Sequence, residues 1–135
     1  MTGPRVLIAD DQSAFRELLR QMLVGVAREI VECADGVEAV AAFETHQPDW
    51  ALLDWVMPNL DGQAAARAIR ARHPRARIVI LSSHLTPMLA SEAQAAGACG
   101  CFPKERMHEV IALLRASLSD LTSTNAQTSQ PSTRS

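Results

Sequence analysis

The feature that most constrains this chain is an alternation of short runs rich in Val, Ile and Leu with longer stretches whose apolar residues recur at three- and four-residue steps. A short run buried on both faces suits a parallel strand, and a helix between consecutive runs supplies the crossover that parallel pairing needs. The runs are Arg5 to Ala9, Glu29 to Cys33, Asp49 to Asp54, Arg77 to Leu81 and Cys99 to Pro103. Phe15, Leu18, Leu19, Met22, Leu23 and Val26 form one apolar helix face, and Met107, Val110, Ile111, Leu114 and Leu118 form another. Boundary signals bring the helices to five. Asp35 with Glu38 reads as a capping pair, Thr86 before Pro87 as an N-cap and first turn, and Pro74 as the stop for a helix ending near His73. Gly97 and Gly100 flank the last run, where the chain must turn back into the sheet. The pattern predicts an α/β fold, a five-stranded parallel sheet between two layers of helix.

At 135 residues the chain holds one domain of ordinary size, expected over residues 1–118. From 119 to 135 the periodicity stops and nine of seventeen residues are Ser or Thr, too little apolar surface to offset the entropy of ordering. A disordered tail is expected there, too short for a helix-turn-helix output domain. The net charge of -2 and the lack of a Lys/Arg stripe disfavour direct nucleic-acid contact. No apolar stretch approaches the roughly 18 residues of a membrane span or forms a signal-peptide core, so a cytoplasmic protein is expected. Cys33, Cys99 and Cys101 lack the spacing of a zinc site or a disulfide framework and are read as reduced thiols in small apolar positions.

In open parallel sheets, sites form outside the carboxyl ends of the strands. The first run ends in Asp10 and Asp11, the third in Asp54 and the fourth in Ser82 and Ser83, while the fifth stops just before Lys104. If the strand order is 2-1-3-4-5, the first and third strands are neighbours, and at about 4.8 Å per strand their carboxylates come within reach of one ion. Two carboxylates about 4 Å apart repel by about 4 kcal/mol at an effective dielectric of 20, so a cation must offset them. All-oxygen ligands favour a hard ion, and Mg2+ takes one or two carboxylates while contacting a phosphate. Such an ion would neutralise charge on a transferring phosphoryl group, Lys104 would clamp one of its oxygens, Ser82 would hydrogen-bond another, and Asp54 is left as nucleophile.

These residues resemble the receiver domain of two-component response regulators, from about Arg5 to Leu118. The matching pieces are Asp10-Asp11, Leu52-Leu53-Asp54, the turn Met57-Pro58-Asn59-Leu60-Asp61-Gly62, Ser82, Ala96-Gly97-Ala98-Cys99-Gly100, and Lys104. The resemblance implies a flavodoxin-like, doubly wound sheet of order 2-1-3-4-5. It also implies phosphorylation of Asp54 by a histidine kinase or phosphotransfer protein, and a Mg2+ site of Asp10, Asp11, Asp54 and the Val56 backbone carbonyl. Ser82 and Lys104 would sense the phosphate, and the surface of the fourth helix, fifth strand and fifth helix would bind a downstream protein, as monomer or phosphorylation-linked dimer. Cys101 stands where many receivers carry a switching aromatic residue. His84, two residues beyond Ser82, borders the entry of water or phosphodonor and is a candidate for tuning phosphate lifetime. Pro103 precedes Lys104, as in receivers joined to helix-turn-helix domains, whereas many receivers place Pro after the lysine.

Plainer roles stand beside these. Asp10 or Asp11 could cap the first helix, Asp61 with Gly62 is read as a turn, and His46 and His73 sit near helix C-termini where positive charge is stabilising. Trp50 and Trp55 are read as packing groups, Trp55 also shaping access to Asp54. The alternatives to a stand-alone switch are three: the receiver piece of a DNA-binding regulator, a pseudo-receiver that never takes phosphate, and an Asp-nucleophile phosphohydrolase of the haloacid-dehalogenase type. The last wants an acid two residues after the nucleophile, where this chain has Val56.

Overall fold

A computed structural model describes residues 3–117; Leu118 and the expected tail lie outside the described residues. Five strands, β1 (Arg5–Ala9), β2 (Glu29–Cys33), β3 (Trp50–Asp54), β4 (Arg77–Ser82) and β5 (Gly100–Pro103), form one sheet of order β2-β1-β3-β4-β5 in which every pairing is parallel. The helices are α1 (Ser13–Met22), α2 (Gly36–His46), α3 (Gly62–Arg72), α4 (Pro87–Ala95) and α5 (107–117). β3 is buried along its whole length, as a central strand covered on both faces must be.

Alternate residues of each central strand feed two cores. Val6, Ile8, Leu52, Val79 and Leu81 pack with Leu19 of α1 and Val110, Ile111 and Leu114 of α5. Leu7, Ala9, Ala51, Leu53, Ile78 and Ile80 pack with Phe43 of α2, Ile69 of α3 and Ala93 of α4. Trp50 is buried in the first core with the Arg77 guanidinium 4.6 Å from its ring centroid, the packing role expected of it.

The predicted caps are present. Asp35 Oδ1 accepts from Glu38 N at 2.8 Å while Glu38 Oε1 accepts from Ala34 N at 2.9 Å, and Thr86 Oγ1 accepts from Leu89 N at 3.1 Å ahead of Pro87. Gly97, at φ +107°, supplies the left-handed turn after α4. Asp61 does more than turn the chain: as N-cap of α3 its Oδ1 accepts from Ala64 N at 2.9 Å.

Several expectations are corrected. α1 stops at Met22, so Leu23 and Val26 reach the core from the turn that follows, and Leu18 of the predicted face is 40% exposed. β3 starts one residue later than predicted because the Asp49 carboxylate takes the Arg5 backbone N–H at 2.8 Å. β4 continues to Ser82, and β5 begins at Gly100. Cys99 is exposed rather than filling an apolar position, whereas Cys33 is buried.

Gly36, the first residue of α2, has no room for a side chain: a Cβ there would stand 2.0 Å from the Leu60 carbonyl oxygen. Gly36→Ala is expected to destabilise the fold by about 3 kcal/mol, the upper range for forced overpacking, as a lower urea midpoint.

Candidate functional site

The parallel register brings the predicted residues together. Ala9 pairs with Leu53, Asp54 with Leu81, and Ser82 with Pro103, so the residues ending β1, β3, β4 and β5 emerge along one sheet edge. Asp10, Asp11 and Asp54 each present a carboxylate oxygen within 4.8 Å of the others; Asp10 and Asp54 are buried and Asp11 is exposed. The Lys104 ammonium stands 2.7 Å from Asp10 Oδ2 and 3.4 Å from Asp54 Oδ2. Asp11, Asp54, Val56, Ser82, Ser83, His84 and Lys104 all line one open cleft of about 350 Å3, which Trp55 and Leu89 help to wall.

Local structure holds each group. Gln12, the N-cap of α1, donates its backbone N–H to Asp10 Oδ1 at 2.8 Å, and neither acid makes the capping bond considered for it. Val56 N–H reaches Asp54 Oδ1 at 3.4 Å, a long contact, with the Val56 side chain exposed. Ser82 Oγ, buried, accepts from the His84 backbone N–H at 3.1 Å, which places the His84 residue at the cleft mouth. His46 ends α2, and His73 caps α3 with Nε2 3.0 Å from Glu44 Oε1, away from this cleft. Cys101 lies on β5 and lines a different cleft.

Burial and the neighbouring Asp10 carboxylate push the Asp54 carboxyl up to about 6, and Lys104 only partly opposes them. The donor set fits a hard divalent cation: three carboxylates, all oxygen, with Asp10 Oδ2 buried and lacking an aligned hydrogen-bond donor. Its contact with Lys104 is an ion pair, so the ammonium supplies the countercharge the acids require.

Sequence reasoning missed three supporting residues. The Phe15 ring centroid lies 4.6 Å from Lys104 Nζ, and Arg16 Nη1 donates to the Asp10 carbonyl at 2.6 Å while its Nε pairs with Glu32 at 3.2 Å. The place of Phe15 and Arg16 in the first turn after the acid pair was the available signal, because a helix leaving that loop passes back over the rim; Glu32 reaches Arg16 from β2.

A family model described as the response regulator receiver domain matches residues 6–115. The chain is 36% identical over 103 residues to Probable transcriptional regulatory protein NarL of Mycobacterium tuberculosis, covering 75% of this chain and 48% of the relative. It is 34% identical over 95 residues to chemotaxis protein CheY of Bacillus subtilis, covering 70% of this chain and 79% of that one. The chain thus spans about half the length of the NarL relative. Among solved structures, the signal receiver domain of NarL from Mycobacterium tuberculosis superposes with a TM-score of 0.78 at 30% identity over 90% of this chain and 97% of that one. The CheX-CheY-BeF3-Mg2+ complex of Borrelia burgdorferi gives a TM-score of 0.74 at 26% identity over 81% and 87%.

Proposed function

The chain belongs to the response regulator receiver family, and from that premise we propose that Asp54 accepts a phosphoryl group from a phosphohistidine of a histidine kinase or phosphotransfer protein. The observation that carries this reading is the convergence of three carboxylates and one lysine at a single cleft in which Asp54 is buried. With its carboxyl held at about 6, Asp54 is largely ionised at neutral pH and free to attack phosphorus as the donor's P–N bond breaks. Lys104, within reach of both Asp10 and Asp54, is placed to bind a phosphoryl oxygen, and the Ser82 hydroxyl to hydrogen-bond another. Asp10, Asp11, Asp54 and the Val56 carbonyl would hold Mg2+, whose charge offsets that of the carboxylates and the phosphoryl group. A complex carrying BeF3 and Mg2+ among the structural neighbours agrees with this assignment.

His84 at the cleft mouth is placed to influence water entry and phosphate lifetime. Phosphorylation would shift the surface of α4, β5 and α5 toward a form that binds a downstream protein, with Cys101 in place of an aromatic switch, as monomer or phosphorylation-linked dimer. A second reading, the receiver part of a DNA-binding regulator, is favoured by the NarL relative, a transcriptional regulatory protein of which this chain spans 48%. Among the described residues no helix is long and apolar enough to cross a membrane.

Incubation with Mg2+ and acetyl phosphate followed by intact mass measurement tests the reading. One added phosphoryl group per chain is expected, with none when the metal is chelated; an unmodified protein under donor excess would favour the pseudo-receiver. Rapid multiple turnover of small phosphoesters would instead indicate a hydrolase.

A further inference from the structure

The edge strand β5 and the residue just before it bring two sulfur atoms to a second cleft. Cys99 is exposed and Cys101 is half-buried, and both line an open cleft of about 310 Å3 completed by Ala90, Gln94, Ala98 and Gly100. Both residues are held by the sheet. The Cys99 backbone N–H donates to the Ile78 carbonyl at 2.8 Å, and Cys101 is the register partner of Ile80. With only Gly100 of β5 between them, their Cα atoms are separated by about 6.6 Å, and both residues line the same cleft. That separation lies near the upper limit for a disulfide, so bridging the pair would require β5 to bend. It suits an atom placed between the sulfurs, which with metal–thiolate bonds of about 2.3 Å needs them roughly 4.6 Å apart. The rest of the lining offers only Ala and Gly surface and one amide, so the four N/S ligands of a tetrahedral zinc site are not available from this cleft. Two thiolates alone match a soft cation of low coordination number.

We propose that Cys99 and Cys101 form a binding site for a soft, thiophilic monovalent cation, with Cu(I) as its probe. Each thiol releases one proton to solvent and forms one sulfur–copper bond; copper stays Cu(I) throughout, and no oxidant or reductant is consumed. The site uses none of the carboxylates of the acidic cleft, so it is independent of phosphoryl acceptance.

The test titrates the reduced full chain with Cu(I) under anaerobic conditions against the chromogenic chelator bicinchoninate. One Cu(I) per chain should be withheld from the chelator, excess Mg2+ should not displace it, and Cys33→Ser should retain it. Cys99→Ser and Cys101→Ser should each weaken binding at least tenfold. Because Cys99 is exposed, Cys99→Ser keeps the fold and is the decisive variant. Retention of Cu(I) by Cys99→Ser, loss in Cys33→Ser, or one Cu(I) shared by two chains would overturn the assignment.

Discussion

Replacing Asp54 with Asn is expected to stabilise the metal-free protein at pH 7 by about 3 kcal/mol while abolishing phosphoryl acceptance. The magnitude follows from a carboxyl held at about 6 in the fold against an ordinary 3.8, at about 1.4 kcal/mol per pH unit. A raised folded value means that the fold prefers the protonated acid. The favourable contribution is therefore fully present below pH 3.8, is lost as pH rises through about 6, and is absent at pH 7. Asn removes the charge and escapes that loss. Lys104 keeps its closer partner, Asp10, at 2.7 Å, so the substitution does not strand a buried cation. Urea unfolding in chelator at pH 7 and at pH 4 checks the sign. The variant's advantage should be large at the first and nearly gone at the second, with titrations elsewhere cancelling between the two proteins. An advantage that grows toward acid pH would contradict the placement of Asp54 beside Asp10.

Lys104→Met carries the second large effect. The Lys104 side chain is 11% exposed and its ammonium is the cation that the structure places between Asp10 and Asp54, so its loss leaves two buried like charges without an offset. Removing one partner from a buried ion pair costs about 3 kcal/mol or more, and urea unfolding of the metal-free protein should show a loss of that size. Methionine retains an apolar stem where the lysine passed Phe15. Mg2+ should stabilise this variant more than wild type, because the divalent ion then supplies the missing positive charge. Phosphorylation by acetyl phosphate should slow by about a hundredfold, the usual cost of removing one group that stabilises developing negative charge. An unchanged rate would remove Lys104 from the site's chemistry even if the stability loss appeared.

The sheet and its rim were legible because strand composition and helix periodicity agree with the final fold at nearly every element. Parallel topology sends every carboxyl end to one edge, so the strand ends put Asp10, Asp54, Ser82 and Lys104 on one rim, while the adjacency of the first and third strands came from the order that the resemblance implies. Side-chain partners chosen by three-dimensional proximity were less accessible. Phe15 read as an ordinary member of the α1 face, yet its ring lies beside Lys104, which follows it by 89 positions in the chain. Arg16 carries no motif signal in the sequence, yet its Nη1 donates to the Asp10 carbonyl. The end of α1 was misread because Leu23 and Val26 are buried after the helix has stopped, and periodicity cannot distinguish a helical residue from a turn residue that packs in the same core. Cys99 was misplaced because thiols are usually buried, whereas this one is exposed in the bend just before β5.

The claim on which the account rests is that the transferred phosphoryl group resides on the Asp54 carboxylate. Borohydride reduces an acyl phosphate to the alcohol, so protein treated with acetyl phosphate and Mg2+, then reduced and mapped by peptide mass spectrometry, should carry homoserine at position 54 and at no other aspartate. Homoserine at Asp10 or Asp11, or a label at position 54 that forms equally well in chelator, would contradict it.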